Sequence, residues 1–228
     1  MYFCLLFKYN KMDKKGLSSI TKKLIMAISG AGLVFFLLFH GAMNLVSIFS
    51  AEGYEMICEF LGANWYAVVG TIGLAVLIVI HLVYAFILSY QNFRARGKQR
   101  YAVVERPEGV SWASKNMLAL GAFILFGLAF HLYDFWSKMQ LVELKGGEPV
   151  SGIEQIKFIF SHNYFSVMYL LWLVAIWFHL SHGIASVMQS IGWSNLVWQR
   201  RIEFLGRLFA FIIVAMFSPV VIYYWLIV

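Results

Sequence analysis

The sequence predicts an all-α, polytopic membrane protein built as a bundle of five transmembrane helices. Of its 228 residues, 61% are hydrophobic and 13% are charged, and the mean hydropathy is +0.76, which is too apolar for an ordinary soluble domain. Five apolar stretches each reach the roughly 20 residues that a bilayer-crossing helix needs. Their continuous runs favour helices over barrel strands, which alternate in polarity over about 10 residues. The predicted spans are residues 24–50, 65–91, 115–137, 162–190 and 204–227.

The connections between the spans are short, so the sequence predicts one bundle over residues 24–228, preceded by an N-terminal segment over residues 1–23. The apolar patch at residues 2–7 is too short for a signal peptide and lacks a small-residue cleavage site, and Met12 is a more natural start. Cys4 and Cys58 form no CxxC or CxxCH pattern, which argues against disulfides, zinc, iron–sulfur clusters and covalent haem. No nucleic-acid motif is present.

Basic residues are concentrated in the connections on one side of the predicted bundle. The N-terminal segment and residues 92–115 and 191–207 hold 15 of the 18 lysines and arginines. By the positive-inside rule, that side is cytoplasmic, which places the N-terminus in the cytoplasm and the C-terminus outside a cytoplasmic (inner) membrane. With acidic residues included, the two sides carry about +11 and −4. The basic side suits contact with anionic lipid or the docking of a cytoplasmic subunit.

Histidines are the main ionisable residues within the predicted spans, and the first four spans carry at least one each. Ionisable side chains in transmembrane helices are costly and usually functional. A lone histidine is more often a hydrogen-bonding residue, but four helices that each supply one match the need of bis-imidazole haem ligation for two histidines on facing helices. The residues are His40, His81, His131, His179 and His182, with His162 at the outer mouth of the fourth span.

The depths of these histidines predict two pairs. His40 and His131 lie on outward-running helices, about 25 Å from the inner end at 1.5 Å per residue, which puts both in the outer half. His81 and His182 lie on inward-running helices and fall in the inner half. Two pairs at two depths suit two stacked haems, whereas a tetrahedral metal site needs all four ligands at one depth.

The fourth span offers His179 as the alternative to His182. The two residues are about 60° and 4.5 Å apart on a helix. We favour His182, because His182-Gly183 repeats the His40-Gly41 pattern of the first span, and glycine lets a porphyrin approach the backbone. The other span glycines suit either haem clearance or close helix packing.

The first span holds the pattern SGAGLVFFLLFHGAMNL and the fourth holds HLSHGIASVMQSIGW, with His81 and His131 in the spans between them. In these residues the chain resembles the cytochrome b subunit of succinate:quinone oxidoreductases. This is the succinate dehydrogenase and fumarate reductase family, in its single-chain, five-helix, two-haem type, and the resemblance covers residues 18–228. It implies that His40 and His131 bind the haem distal to the cytoplasm, and that His81 and His182 bind the proximal one. Some fumarate reductases of this type carry a proton-linked glutamate two residues before the ligand in the fourth helix, where this chain has Leu180.

The resemblance further implies that the chain binds two b haems. It implies a membrane quinone as substrate, with menaquinone expected, and two partner proteins on the cytoplasmic side. These are an FAD-containing flavoprotein and an iron–sulfur protein, so the chain would act as the membrane subunit of an enzyme complex without dicarboxylate chemistry of its own. Which quinone is used, whether the complex oxidises succinate or reduces fumarate, and whether it dimerises stay open.

Quinone chemistry moves protons, so a carboxylate near the outer haem is expected. Glu59 is the first candidate, ahead of Glu52, Glu55 and Asp134, although an acidic residue in an outer loop is usually just solvated. At the inner end, Trp112, Lys115 and Ser29 are candidates for contact with haem propionates, although interfacial aromatic and basic belts need no such role.

Two alternatives stay beside this interpretation. The cytochrome b subunit of a hydrogenase or formate dehydrogenase also holds two haems in a helical bundle. A haem-free proton-coupled transporter would use the histidines as relays. The transporter predicts scattered acids and broken helices, whereas Pro219 is the one proline within the predicted spans.

Overall fold

The computed structural model describes residues 17–96, 111–193, 195 and 197–227. Met12 and seven of the 15 basic residues assigned to the cytoplasmic side fall outside these ranges.

Within the described residues the regular elements are all helical, which confirms the all-α fold class. Five helices are long and apolar enough to cross a membrane, and they coincide with the five predicted spans. The helices are α1 (Ser19–Phe49), α2 (Ala51–Phe60), α3 (Trp65–Arg96), α4 (Trp112–Lys115), α5 (Met117–His131), α6 (Gln140–Leu144), α7 (Gly152–Phe160), α8 (Asn163–Ser190) and α9 (Gln199–Ile227), and a π-helical turn (Leu132–Trp136) continues α5.

The spans differ from the prediction mainly at their ends. Helix α1 begins at Ser19, five residues before the predicted span, because Ser18 caps it and accepts a hydrogen bond from the backbone N–H of Thr21 at 3.1 Å. Helix α9 begins at residue 199, five residues before the predicted span. Long basic side chains can lie along an apolar helix and keep their charges at the membrane–water interface. Hydropathy alone therefore places the N-terminal ends of such helices several residues too far along the chain.

Helices α1, α8 and α9 pack against one another and form the centre of the bundle. Ala210 and Ile213 of α9 are fully buried there, at 0% exposure. Helix α3 packs mainly against α1, and α5 packs mainly against α8. The outward faces of the spans expose large apolar side chains, as lipid-facing surfaces do.

Three of the short helices, α2, α6 and α7, lie in the connections at one end of the bundle, which we call the α7 end. Helix α7 packs on α2, α8 and α9, and most of its apolar residues are buried, so it covers that end of the bundle. At the opposite end, which we call the basic end, lie the C-terminal ends of α3 and α8, helix α4 and the start of α9. The sequence analysis did not predict these short helices.

Glu55 joins α2 to α7. Its carboxylate accepts hydrogen bonds from the Ser151 hydroxyl at 2.5 Å and from the backbone N–H groups of Gly152 and Ile153 at 3.2 and 2.8 Å. These are the orphan donors at the N-terminus of α7, where a negative charge is favourable. Cys58 of α2 lies directly against Gly152, where an added Cβ would come within 2.6 Å of its sulfur.

Candidate functional site

Four of the predicted histidines form two pairs within the bundle. The ring of His40 on α1 lies edge to face with that of His131 at the end of α5, with ring centroids 5.8 Å apart. The ring of His81 on α3 lies 6.3 Å from that of His179 on α8. The structure therefore brings together one pair nearer the α7 end, His40 with His131, and one nearer the basic end, His81 with His179.

The pair nearer the basic end differs from the favoured sequence assignment. The histidine of α8 whose ring faces His81 is His179, the alternative, and not His182. The rotation of α8 about its axis decides this, because residues three apart point about 60° away from each other. Gly121 of α5 also faces His179, where an added Cβ would lie 3.7 Å from the imidazole Cε1.

Counting from His179 also changes the position of the proton-linked glutamate. Two residues before His179 stands Trp177, and two before His182 stands Leu180. Neither is a carboxylate, so this feature of some fumarate reductases is lacking with either ligand.

The two pairs are separated along the bundle by about three helical turns. On α1, Ser29 contacts His81 and His40 contacts His131, and these two positions are 11 residues apart, which is about 16 Å of helix. On α5, Gly121 faces His179 and His131 belongs to the other pair, 10 residues or about 15 Å away. Two different helices thus give the same spacing.

His81 has a polar partner in Ser29. The Ser29 hydroxyl donates to the carbonyl oxygen of Met26 at 3.1 Å and lies 3.4 Å from Nδ1 of His81. Because the Ser29 hydroxyl proton is already donated to Met26, the hydroxyl oxygen can accept a hydrogen bond from Nδ1–H of His81. The lone pair on Nε2 of His81 is then free to bind a metal ion. Gly30 gives the ring its space, because an added Cβ would lie 3.3 Å from its Cε1. Ser29 therefore faces a histidine and is 2% exposed, which differs from its predicted role at a propionate.

His40 is supported by Asn44, one turn further along α1. The Asn44 amide donates to the backbone carbonyl oxygen of His40 at 2.8 Å and lies 3.4 Å from its Nδ1. The Asn44 side chain is held in turn by Tyr54 of α2, whose hydroxyl donates to Oδ1 at 3.3 Å. Burial raises the pKa of Tyr54 far above its usual value, so the hydroxyl stays protonated and keeps donating. The rings of Phe36 and Phe217 cover His40, with centroids 5.2 and 5.7 Å away.

The other member of each pair lacks a polar partner. Nδ1 of His131 and Nδ1 of His179 are buried without a hydrogen bond to any described residue. Unpartnered buried polar atoms are rare, and each marks a place where a group other than the described side chains can complete the site. The ring of His131 instead contacts those of Phe135, Tyr169 and Trp172.

The distance between the two ring centroids in each pair matches the spacing of two imidazoles bound to one iron. Two imidazole nitrogens bound to one metal, each at about 2.0 Å, place the ring centroids about 6 Å apart. The observed separations are 5.8 and 6.3 Å. Among the described residues no three histidine, cysteine or acidic side chains converge as a metal site. The ring contacts bring two imidazoles together in each pair, and two is the number of axial ligands in bis-imidazole haem ligation.

The four predicted carboxylates have different surroundings. Glu59 and Glu52 are exposed on α2, and Glu55 is engaged at the N-terminus of α7. Asp134, one of the three candidates placed behind Glu59, is 5% exposed and accepts a hydrogen bond from Tyr169, whose ring contacts His131. The structure therefore brings Asp134 beside a histidine pair, and it leaves Glu59 at the surface.

The two remaining propionate candidates lie at the basic end. Trp112 and Lys115 of α4 are both exposed, and the Trp112 ring contacts that of Phe178 on α8 at 5.3 Å. Of the span glycines, Gly127 serves packing, because an added Cβ would overlap the Trp172 indole.

Three side chains of this site were not predicted from the sequence. Asn44, Tyr54 and Tyr169 are common polar residues, and no local pattern distinguishes them. Asn44 stands four residues after His40, which is the spacing of neighbours on a helix face, and this was the one available signal.

Comparisons of the chain with protein-family models, with curated proteins and with solved structures find no match.

Proposed function

We propose that this chain is a di-haem cytochrome b that carries electrons through the membrane between a cytoplasmic iron–sulfur partner and a quinone. The observation that carries the proposal is the presence of two histidine pairs, each at the spacing of iron-bound imidazoles and each supplied by two different membrane helices. The resemblance of the sequence to the cytochrome b subunits of succinate:quinone oxidoreductases points to the same role.

In this proposal, His40 and His131 hold one haem and His81 and His179 hold the other. A bound haem supplies a one-electron carrier, with iron that alternates between the ferric and ferrous states. The chain's own residues fix the ligands and exclude water. Ser29 holds His81 at Nδ1, and Asn44 supports His40. A spacing of about 15 to 16 Å between the pairs extends the electron path along the bundle axis.

The charge distribution supports a definite orientation and definite partners. The basic end faces the cytoplasm by the positive-inside rule, so the pair His81–His179 is the inner pair and His40–His131 is the outer one. A basic cytoplasmic face suits the docking of an iron–sulfur protein that carries a flavoprotein with it. Quinone chemistry then takes place at the outer half of the bundle, and the complex as a whole catalyses the dicarboxylate reaction.

The test is the haem content of the purified chain with and without its histidines. The wild-type chain is expected to contain about two non-covalent b haems by pyridine haemochrome analysis. His40→Ala and His131→Ala should each remove one haem, and His81→Ala should remove the other. His162→Ala is the matched control, because His162 is at the exposed N-terminus of α8, and it should keep both haems. A folded chain without haem that still supports quinone reduction in its complex would refute the proposal.

A further inference from the structure

Asp134 is a buried carboxylate inside a membrane span. It lies in the π-helical turn that ends the third span, three residues after His131, and is 5% exposed. A buried carboxylate is unfavourable when charged unless it is paired and hydrogen-bonded. Ionisable groups kept at such positions usually have a function, and their partners indicate which.

Side chains from two other helices hold Asp134 in place. The Tyr169 hydroxyl of α8 donates to its Oδ2 at 3.2 Å, and the Gln155 amide of α7 donates to its backbone oxygen at 2.6 Å. Gln155 and Tyr169 are themselves buried, at 7% and 5% exposure. Asp134 is therefore held from α7 through its backbone and from α8 through its carboxylate, and the tyrosine that bonds the carboxylate also contacts the outer histidine pair.

Tyr169 connects this carboxylate to the outer histidines. Its ring lies edge-on to that of His131, with centroids 6.3 Å apart, while its hydroxyl binds Asp134. The π-helical turn contributes to this arrangement, because the backbone N–H of Ser137 bonds to Leu132 five residues earlier, at 2.8 Å. Such single π turns inside helices are frequent at functional sites.

The charged and titratable groups around Asp134 are few. Helix α8 contributes Tyr169, and the ring of Tyr169 in turn contacts His131 of α5. Its own segment contributes Lys138, which is exposed and lies over the ring of Tyr133. Helix α7 presents the neutral Gln155 to this site, while its charged residues Glu154 and Lys157 are exposed. Tyr169 is therefore the described side chain that links Asp134 to the outer histidine site.

We propose that Asp134 binds one proton when the outer site gains one electron, and releases it when that electron leaves. This inference rests on the proposed haem at His40 and His131. An electron from the proposed iron–sulfur partner would reduce the iron held by His40 and His131, and one proton from water at the α7 end would convert the Asp134 carboxylate to the acid, so the local net charge would not change. Added negative charge near a carboxylate favours its protonation, and low polarity strengthens this coupling.

The test is the pH dependence of the midpoint potential of the outer haem, followed by its visible spectrum in native membranes. The outer haem is the one that is lost in His131→Ala. In the wild type, its potential should fall as the pH rises, by up to about 59 mV for each tenfold change in proton activity. In Asp134→Asn, which keeps the shape but cannot ionise, this slope should be strongly reduced, and at alkaline pH the potential should lie above that of the wild type.

Two controls separate this role from a structural one. Glu154→Gln removes an exposed carboxylate at the same end of the bundle and should keep the wild-type slope. A redox-difference infrared spectrum of the wild type should show a protonated carboxyl band on reduction, and this requires no mutation of the site. A wild-type potential that is independent of pH, or an unchanged slope in Asp134→Asn, would overturn the inference. A chain without haem would instead overturn the proposed function.

Discussion

His179 and His182 differ in what they face. Since His179 pairs with His81, His179→Ala should remove the inner haem and leave one haem per chain, whereas His182→Ala should keep both. Haem content and a redox titration of each variant in membranes measure this. Loss of a haem from His182→Ala, with two retained in His179→Ala, would reverse the assignment.

Ser29 orients a ligand without binding metal itself. Its hydroxyl is the one polar partner of His81 in the described structure, and loss of such a partner commonly reduces metal affinity by about 10- to 100-fold. Ser29→Ala should therefore weaken retention of the inner haem and shift its potential, while the outer haem is unaffected. Titration of haem into the haem-depleted chain measures the change.

Ser166→Ala is the matched control for Ser29→Ala. Ser166 is fully buried and its hydroxyl bonds only to the backbone oxygen of Phe160, so its loss should leave both haem affinities unchanged. Equal losses in the two variants would point to a general loss of packing.

The histidine pairs and Asp134 show how much of the site could be predicted from the sequence. The pairing of His40 with His131 follows from counting residues along two helices. The choice between His179 and His182 does not, because it depends on the rotation of α8 against α3 and α5, and a difference of about 60° leaves both compatible with the pattern. The position of Glu59 just before the second span favours it in the sequence, whereas the surroundings of Asp134 include α7, a helix that the sequence does not predict.

Among the helices, the attachment of α7 to α2 depends on Glu55. Its carboxylate satisfies the first N–H groups of α7, and the loss of a helix cap usually costs about 0.5 to 2 kcal/mol. Glu55→Ala should lower the free energy of unfolding by about that amount and speed hydrogen exchange of the α7 amides. Glu148→Ala, which removes an exposed loop carboxylate, should change neither. Equal exchange in the two variants would contradict a capping role.

The five spans could be predicted because long apolar runs are sufficient to define membrane helices. Helices α2, α6 and α7 could not, since they have 10, 5 and 9 residues and their stability comes from packing on the bundle, which no local pattern records. The π-helical turn at Leu132–Trp136 depends likewise on contacts with α7 and α8.

For the whole molecule, the one-sided charge leads to a prediction about assembly. A mild-detergent pull-down from native membranes should recover a flavoprotein and an iron–sulfur protein, bound at the basic end. If exposed charges dominate the contact, high salt should weaken it, because they are screened beyond about 8 to 10 Å at physiological ionic strength. Recovery of a hydrogenase or formate dehydrogenase catalytic subunit would favour that alternative.

Replacing basic residues on the described part of that face tests the same contact directly. Arg200→Gln with Arg201→Gln should reduce recovery of the partners, since both residues lie exposed at the start of α9. Lys138→Gln with Lys157→Gln, at the opposite end, removes the same number of charges and should leave recovery unchanged.

Helix α3 is the least buried of the five spans. It packs mainly against α1, and none of its most apolar 18-residue window is buried. A ligand bound by both His81 and His179 would therefore hold α3 against α8. During biogenesis, a chain made while haem is scarce would insert into the membrane with α3 loosely attached, exposed to membrane proteases.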